Sequence, residues 1–254
     1  MPLPLTSEER QRYEWQLWTP GFGEEGQQKL KAATVLISRC GGVGGTVALE
    51  LAAAGVGRLV LAHGGDLRLN DLNRQLLMTT DHVGRRRVDS AMVRLRELNP
   101  NVAVVGVPEN ISEANVAGLV AQADVIVSAA PLFEERLLMN REALRQGKPL
   151  IECAMYDLEA VIMPVVPGQT ACLGCLIPVP PTWWKREFPV FGAVAGTAGC
   201  MAAMEVIKLI AGFGESLAGH MIAIDFRTMH MRKVAVARDP ACGLCGGGGM
   251  TNDE

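Results

Sequence analysis

Apolar residues fall along this chain in two rhythms. Residues 34–38, 58–62, 102–107, 124–130 and 149–154 are short runs dominated by aliphatic and β-branched side chains. Runs of this kind suit strands covered on both faces, as in a parallel sheet. Between them lie stretches whose apolar residues recur at helical spacing, over 23–32, 46–54, 81–98, 113–121 and 134–146. Strand and helix alternate steadily through residue 154. That order predicts a doubly wound, mostly parallel α/β sheet with helices on both faces. At the N-terminus, Ser7 is placed to cap a helix that carries Glu8 and Glu9 in its first turn and continues through Tyr13 and Gln16 to the break at Pro20-Gly21.

After Tyr156 the texture changes. Residues 160–166, 221–224 and 231–236 are short runs between turns and predict an antiparallel C-terminal section. Residues 192–211 are apolar and dense in Gly and Ala. Their length invites a membrane-spanning reading, but Glu205 and Lys208 interrupt them. A buried helix packed closely on its neighbours is the reading that fits the rest of the chain. The expected organisation is one domain over 1–254: N-terminal helices to 32, a nucleotide-binding half over 33–155, an antiparallel half over 156–245 and a disordered tail over 246–254.

The sharpest local signal is the turn Arg39-Cys40-Gly41-Gly42-Val43-Gly44-Gly45, directly after the first strand and opening a helix. Glycines there allow close backbone approach, and the helix start aims free amides and positive dipole at a ligand, so an anion is the natural guest. The turn is not a full dinucleotide fingerprint. Gly41 and Gly44 fit its second and third glycines, but Arg39 stands at the first, and the second strand leads into Ala62-His63 where a ribose-binding acid is usual. A nicotinamide-dependent oxidoreductase would rest on this loop alone. A turn that merely packs helix on sheet is the bland alternative.

Composition narrows the classes. A chain of 254 residues, 49% of them apolar, can bury a core, and a net charge of −3 without a long basic run argues against nucleic acid as the main partner. Residues 1–12 are polar and carry acids, unlike a signal or transit peptide, so a cytoplasmic protein with no membrane partner is expected. Seven cysteines there argue for metal or thiol chemistry rather than a disulfide framework. Cys172-x-x-Cys175 and Cys242-x-x-Cys245 can each place two thiolates on one tight turn, and together they form the four-sulfur set that zinc takes in closed structural sites. Either pair alone could be a redox motif. Cys40, Cys153 and Cys200 sit in apolar settings and are expected to be core thiols, with a reactive Cys40 as the other possibility.

Several of these motifs together resemble the ThiF/MoeB/HesA family, prokaryotic relatives of the ubiquitin-activating (E1) enzymes. They are Arg12-Tyr13 ahead of Gln16, the glycine turn, Ala54-Gly55-Val56-Gly57, Leu72-Asn73-Arg74-Gln75, Val83-Gly84, Asn99-Pro100, both cysteine pairs and Met204-Glu205-Val206-Ile207-Lys208. They span residues 9–245 in family order, and Gly64 to Leu69 and Phe191 to Thr197 look most like the HesA branch. The resemblance implies a homodimer of Rossmann-like subunits with structural zinc. It also implies an adenylyltransferase that uses ATP and Mg²⁺ to activate the C-terminal Gly-Gly carboxylate of a ubiquitin-like sulfur carrier.

By position in the family motifs, Arg74 would contact the phosphates, with Gln75 beside it, and Gly41, Gly42 and Gly44 would approach the nucleotide. Arg87 stands for a phosphate-contacting lysine, and Asp66 is a candidate stand-in for the lost ribose acid. Trp15, His63, Asp71 and Pro131 depart from the pattern, Pro131 replacing the aspartate that would hold Mg²⁺. Lys185 near the usual thioester cysteine implies no covalent thioester. These departures motivate a second reading: a catalytically degenerate E1-like scaffold or binding subunit. Trp183 and Trp184 either dock a partner peptide or pack under their own loop.

Overall fold

A computed structural model describes residues 3–246. Eight strands form one sheet in the order β3-β2-β1-β4-β5-β6-β7-β8. The strands are β1 (Thr34–Ser38), β2 (Arg58–Ala62), β3 (Ala103–Val107), β4 (Val125–Ser128), β5 (Leu150–Tyr156), β6 (Glu159–Val165), β7 (His220–Asp225) and β8 (His230–Ala235). Pairings among β1 to β5 are parallel, and β5-β6, β6-β7 and β7-β8 are antiparallel. The expected architecture is therefore the observed one.

Period-two alternation sorts the parallel strands onto two cores. Val35, Ile37, Leu59, Leu61, Val125, Val127 and Ile151 face one side, whereas Leu36, Val60, Ile126 and Leu150 face the other. The first side is covered by α3 (Gly23–Ala32), α4 (Gly42–Ala54), α5 (Arg87–Leu98) and α9 (Gly192–Ala211), with the short N-terminal helices α1 (Ser7–Arg12) and α2 (Glu14–Leu17) ahead of them. The second carries α6 (Val116–Ala121), α7 (Phe133–Arg145) and the single turn α8 (Leu173–Leu176). The chain runs from β1 outward through β2 and β3, then crosses to β4 on the other side of β1. That reversal opens a crevice above the carboxyl ends of β1 and β4, where ligands of open α/β sheets bind.

The apolar stretch at 192–211 is α9 throughout, and it is long and apolar enough to cross a membrane. Its composition has a local cause. A Cβ on Gly199 would lie 2.7 Å from the Thr46 Cβ and 2.8 Å from the Val43 carbonyl, so the small residues let α9 lie close against α4. Glu205 is buried on α9, pairs with Lys208 and accepts hydrogen bonds from the Leu217 amide (2.9 Å) and the Ser216 hydroxyl (3.2 Å). α9 is a core helix of this fold.

Four local expectations are corrected. The N-terminal helix is capped by Thr6, in a capping box with Glu9, and it breaks at Tyr13. The break turns the Tyr13 ring into the core, where Asn99 Nδ2 donates to its hydroxyl at 2.8 Å. The helix expected from residue 81 starts only at Arg87, because Gly84 takes a left-handed φ of 85° and Arg86 bridges to Asp66. The helix expected from 113 starts at Val116, after Asn115 folds its side chain back to accept from the Ser112 amide. Cys40 and Cys153 are buried as expected, but Cys200 is exposed on the outer side of α9. The expected tail at 246–254 lies outside the described residues from 247 on.

Candidate active site

A cleft of about 360 Å³ opens at the β1/β4 crevice. Its wall carries six arginines, Arg39, Arg68, Arg74, Arg87, Arg136 and Arg186. Concentrating that much positive charge requires counterions. Asp71, almost fully buried, supplies the first set. Its Oδ1 accepts from Gln75 Nε2 (2.9 Å) and Arg74 Nη2 (3.2 Å), and its Oδ2 accepts from Arg87 Nη2 (2.7 Å) and the Arg68 amide (3.0 Å). Burial works against the charged form, yet the Arg68 amide and the Arg87 guanidinium outweigh it and hold the Asp71 carboxyl below the usual carboxylate range.

Two further buried pairs form the floor. Arg39 sits at the first position of the glycine turn with φ 63°, the left-handed conformation a glycine would take there. Its Nε and Nη2 clasp Glu135 on α7 at 2.5 to 3.1 Å. Arg136, next on α7, pairs through Nε and Nη2 with Glu152 of β5 at 2.7 and 2.6 Å, and its guanidinium lies 4.4 Å from the Phe133 ring centroid. Ser128 and Glu152 are register partners on β4 and β5, and Ser128 Oγ and Glu152 Oε2 are buried without hydrogen-bond partners among the described residues.

The glycines divide their work. Gly41 caps α4, and a Cβ there would lie 3.7 Å from Gln75 Nε2 and 3.8 Å from His63 Cε1; a Cβ on Gly42 would lie 3.1 Å from the Ala195 Cβ and 3.4 Å from Arg74 Cγ. Both line the cleft. Gly44 lies outside the lining. A Cβ there would run into the Arg39 carbonyl, so glycine is needed at this position for the turn to close.

His63, the residue after β2, is buried with Nδ1 at 3.6 Å from Cys40 Sγ. Burial, then Arg39 and Arg87, push the imidazole down to about 3, and burial pushes the Cys40 thiol up to about 12. The thiol stays protonated and the ring neutral, so the two form a weak, uncharged contact. Cys40 is then a packing thiol rather than a nucleophile.

Arg74, Gln75 and Arg87 thus line one cleft with Gly41 and Gly42. Asp66 does not join them: Gly65, with φ 85°, turns the chain so that Asp66 is exposed and bridges to Arg86 outside the cleft. Arg87 Nε and Gln75 Oε1 are buried beside the cleft without partners among the described residues. An orphaned donor and acceptor of this kind fit a bound polar ligand. Pro131 lines the cleft, and its carbonyl accepts from Trp184 Nε1 at 2.7 Å. Trp184 packs with Phe133, Tyr156 and Phe188 to wall the cleft, whereas Trp183 is exposed. Trp15 lies elsewhere, exposed on α2 and stacked on Trp18.

Sequence reading missed Arg39, Arg136, Glu135 and Glu152 as parts of this site and treated Asp71 only as a departure. One usable signal was present: Glu152 interrupts an otherwise apolar strand, and a charge in such a run needs a buried partner.

The four cysteines of the two pairs meet at the other end of the molecule. Their sulfurs all lie within 4.8 Å of one another, with Cys172 to Cys242 at 3.8 Å and Cys175 to Cys245 at 3.3 Å. Four thiolates held tetrahedrally at about 2.3 Å from an ion stand roughly 3.8 Å apart, so the set could hold zinc. Gly174 packs beside the cluster, where a Cβ would meet the tip of the Leu244 side chain at 2.9 Å and the Cys172 and Cys242 sulfurs at 3.5 Å.

Comparison with known proteins matches residues 13–244 to the ThiF family. The heterocyst protein HesA of Trichormus variabilis is 46% identical over 96% of this chain and 91% of its own length. A sulfur carrier protein adenylyltransferase of Thermus thermophilus is 36% identical over 95% of this chain and 92% of its own length. Among solved structures, E. coli MccB with MccA-N7isoASN superposes with a TM-score of 0.84 at 27% identity, covering 92% of this chain and 74% of that one. MccB with ATP gives 0.78 at 28% identity, covering 87% and 69%.

Proposed function

Starting from the fact that the chain belongs to the ThiF family, we propose that it is an E1-like adenylyltransferase acting on the C-terminal carboxylate of a ubiquitin-like sulfur carrier ending in Gly-Gly. The carrying observation is the arginine cleft: guanidinium groups and the glycine-turn amides gathered at the sheet's switch point, with Arg87 Nε and Gln75 Oε1 unpartnered among the described residues. The adenylyltransferase relative from Thermus thermophilus and the ATP complex of MccB support the same chemistry.

The carboxylate oxygen attacks the α-phosphorus of ATP. One P–O bond forms as the bond to the β-phosphate oxygen breaks, giving acyl-adenylate and pyrophosphate. Arg74 and Arg87 stabilise charge gathering on the phosphate oxygens, and the Gly41-Gly42 amides with the α4 dipole add to it. Asp71 keeps both guanidiniums aimed before substrate arrives, so little reorganisation is needed at the moment of reaction. Lys185 offers no thiol, so this reading ends at the adenylate.

The test is ATP–pyrophosphate exchange with a purified ubiquitin-like carrier. Label is expected to enter ATP only with the intact carrier, and to be lost when its Gly-Gly end is removed or Arg74 is changed to Ala. Absence of exchange with carriers that related adenylyltransferases activate would contradict it. The scaffold reading is favoured by Pro131 and by Trp15, which is exposed outside the cleft; it expects ATP binding without exchange, or none.

Two further assignments belong to this reading. The cysteine cluster holds one structural zinc that clips 242–245 onto 172–175, checked by metal content in wild type against Cys242→Ser. The chain forms a homodimer, checked by sedimentation.

A further inference from the structure

The family pattern implies Mg²⁺ beside the nucleotide, and the donor set here does not fit it. Magnesium takes oxygen ligands at about 2.1 Å and is usually held by one or two carboxylates together with substrate phosphates. Asp71 and Glu187 line the cleft, Glu135 and Glu152 stand just behind its wall, and none of the four offers an enclosed, unpaired oxygen facing the cleft. Both oxygens of Asp71 accept from Arg74, Gln75, Arg87 and the Arg68 amide. Glu135 is clasped by Arg39, and Glu152 by Arg136 through Oε1 alone; Glu152 Oε2 has no partner among the described residues but is buried behind the cleft lining. Glu187 is exposed and stands 3.7 Å from Arg186. Pro131, beyond the end of β4, offers the cleft no carboxylate, and its carbonyl is taken by Trp184.

The charge balance points the same way. Six arginines face four carboxylates, so two guanidinium charges remain before any ligand enters. Arg68, Arg74 and Arg186 are the least enclosed of the six. Guanidinium groups meet phosphate oxygens in a planar, bidentate fork and need no metal to do so.

Resting on the nucleotide reading above, we propose that this cleft takes a nucleoside triphosphate as its metal-free polyanion. Arginine side chains supply the neutralisation, and no divalent cation is held by the protein. Magnesium in solution then acts only by lowering the ligand's own charge, which weakens rather than strengthens its attraction to the arginines.

Calorimetric titration of the full-length protein with ATP, in excess EDTA and in millimolar MgCl₂, tests this. The Kd in EDTA is expected to equal or fall below the Kd in magnesium. A loss of affinity of more than threefold on chelation would overturn the proposal and leave the nucleotide site standing. No binding in either buffer would remove the nucleotide reading and this proposal with it. Pro131→Asp gives an independent arm: it is expected to weaken binding in EDTA and restore at least a tenfold preference for magnesium. A Pro131→Asp protein that bound ATP as indifferently as wild type would contradict the assignment.

Discussion

The arginine cleft and the cysteine cluster solve the same problem in opposite ways. Each gathers groups that repel one another, guanidiniums in one and thiolates in the other. In the cleft the protein supplies the counterions: Asp71, Glu135 and Glu152 hold Arg74, Arg87, Arg39 and Arg136 in place without any ligand. In the cluster the sulfurs have chiefly one another, at 3.3 and 3.8 Å, with the Asp239 amide donating to Cys175 at 3.5 Å. A site whose charges are balanced by side chains is preorganised, whereas one balanced by an ion forms with that ion. The first should therefore be damaged by changing its acids, and the second by removing the proposed zinc.

The largest effect is expected for Asp71→Ala. It leaves Arg87, 6% exposed, as a buried charge without its partner, which costs about 3–5 kcal/mol. Urea unfolding should show this with no nucleotide present. A loss below about 1 kcal/mol would mean that the cleft is not held by its own counterions.

Metal removal comes next. Chelation, or Cys242→Ser, is expected to cost about 3–4 kcal/mol, the linkage for an ion present at some hundreds to a thousand times its Kd. Hydrogen exchange should rise around Cys172 to Leu176 and Cys242 to Cys245, while affinity for ATP changes less than twofold. An equal loss of ATP affinity would merge the two regions into one.

Acid separates them again. His63 is held neutral in the folded protein, its pKa lowered from 6.5 to about 3. Below pH 6.5 the unfolded chain binds a proton that the folded chain refuses, so stability falls as pH drops through the window from 6.5 towards 3. Between pH 7 and 5 this amounts to about 2 kcal/mol, at 1.36 kcal/mol per unit. Urea midpoints at the two pH values should differ accordingly, and His63→Gln should remove that part of the difference. The smallest effect is expected for Asp66→Ala, exposed and outside the cleft: within about 0.5 kcal/mol in stability and twofold in ATP affinity.

Much of this molecule is legible in its sequence. β1, β2, α3 and α9 fall where the apolar runs place them, because a strand buried on both faces and a Gly/Ala helix pressed on its neighbour leave strong one-dimensional patterns. The cysteine spacing likewise announces its own geometry. The cleft is only half legible. Arg74, Gln75 and the glycine turn are local motifs, but Arg39 finds Glu135 across 96 positions, and Arg136 finds Glu152 from helix to strand. Beyond the charge of Glu152 in an apolar strand, nothing local marks such pairs, and the partner of each is fixed by how β1, β5 and α7 pack. Asp71 shows the limit: a departure from the family motif in sequence, it is the hub of the site in three dimensions.

The most direct measurement is ATP binding by calorimetry to wild type and Arg74→Ala. Arg74 is partly exposed, its side chain 27% accessible, so the variant should keep its fold and thermal midpoint. Micromolar binding by wild type, weakened at least tenfold in Arg74→Ala, is the expected result. No binding at millimolar ATP, or equal binding by both proteins, would contradict a phosphate site built on this cleft.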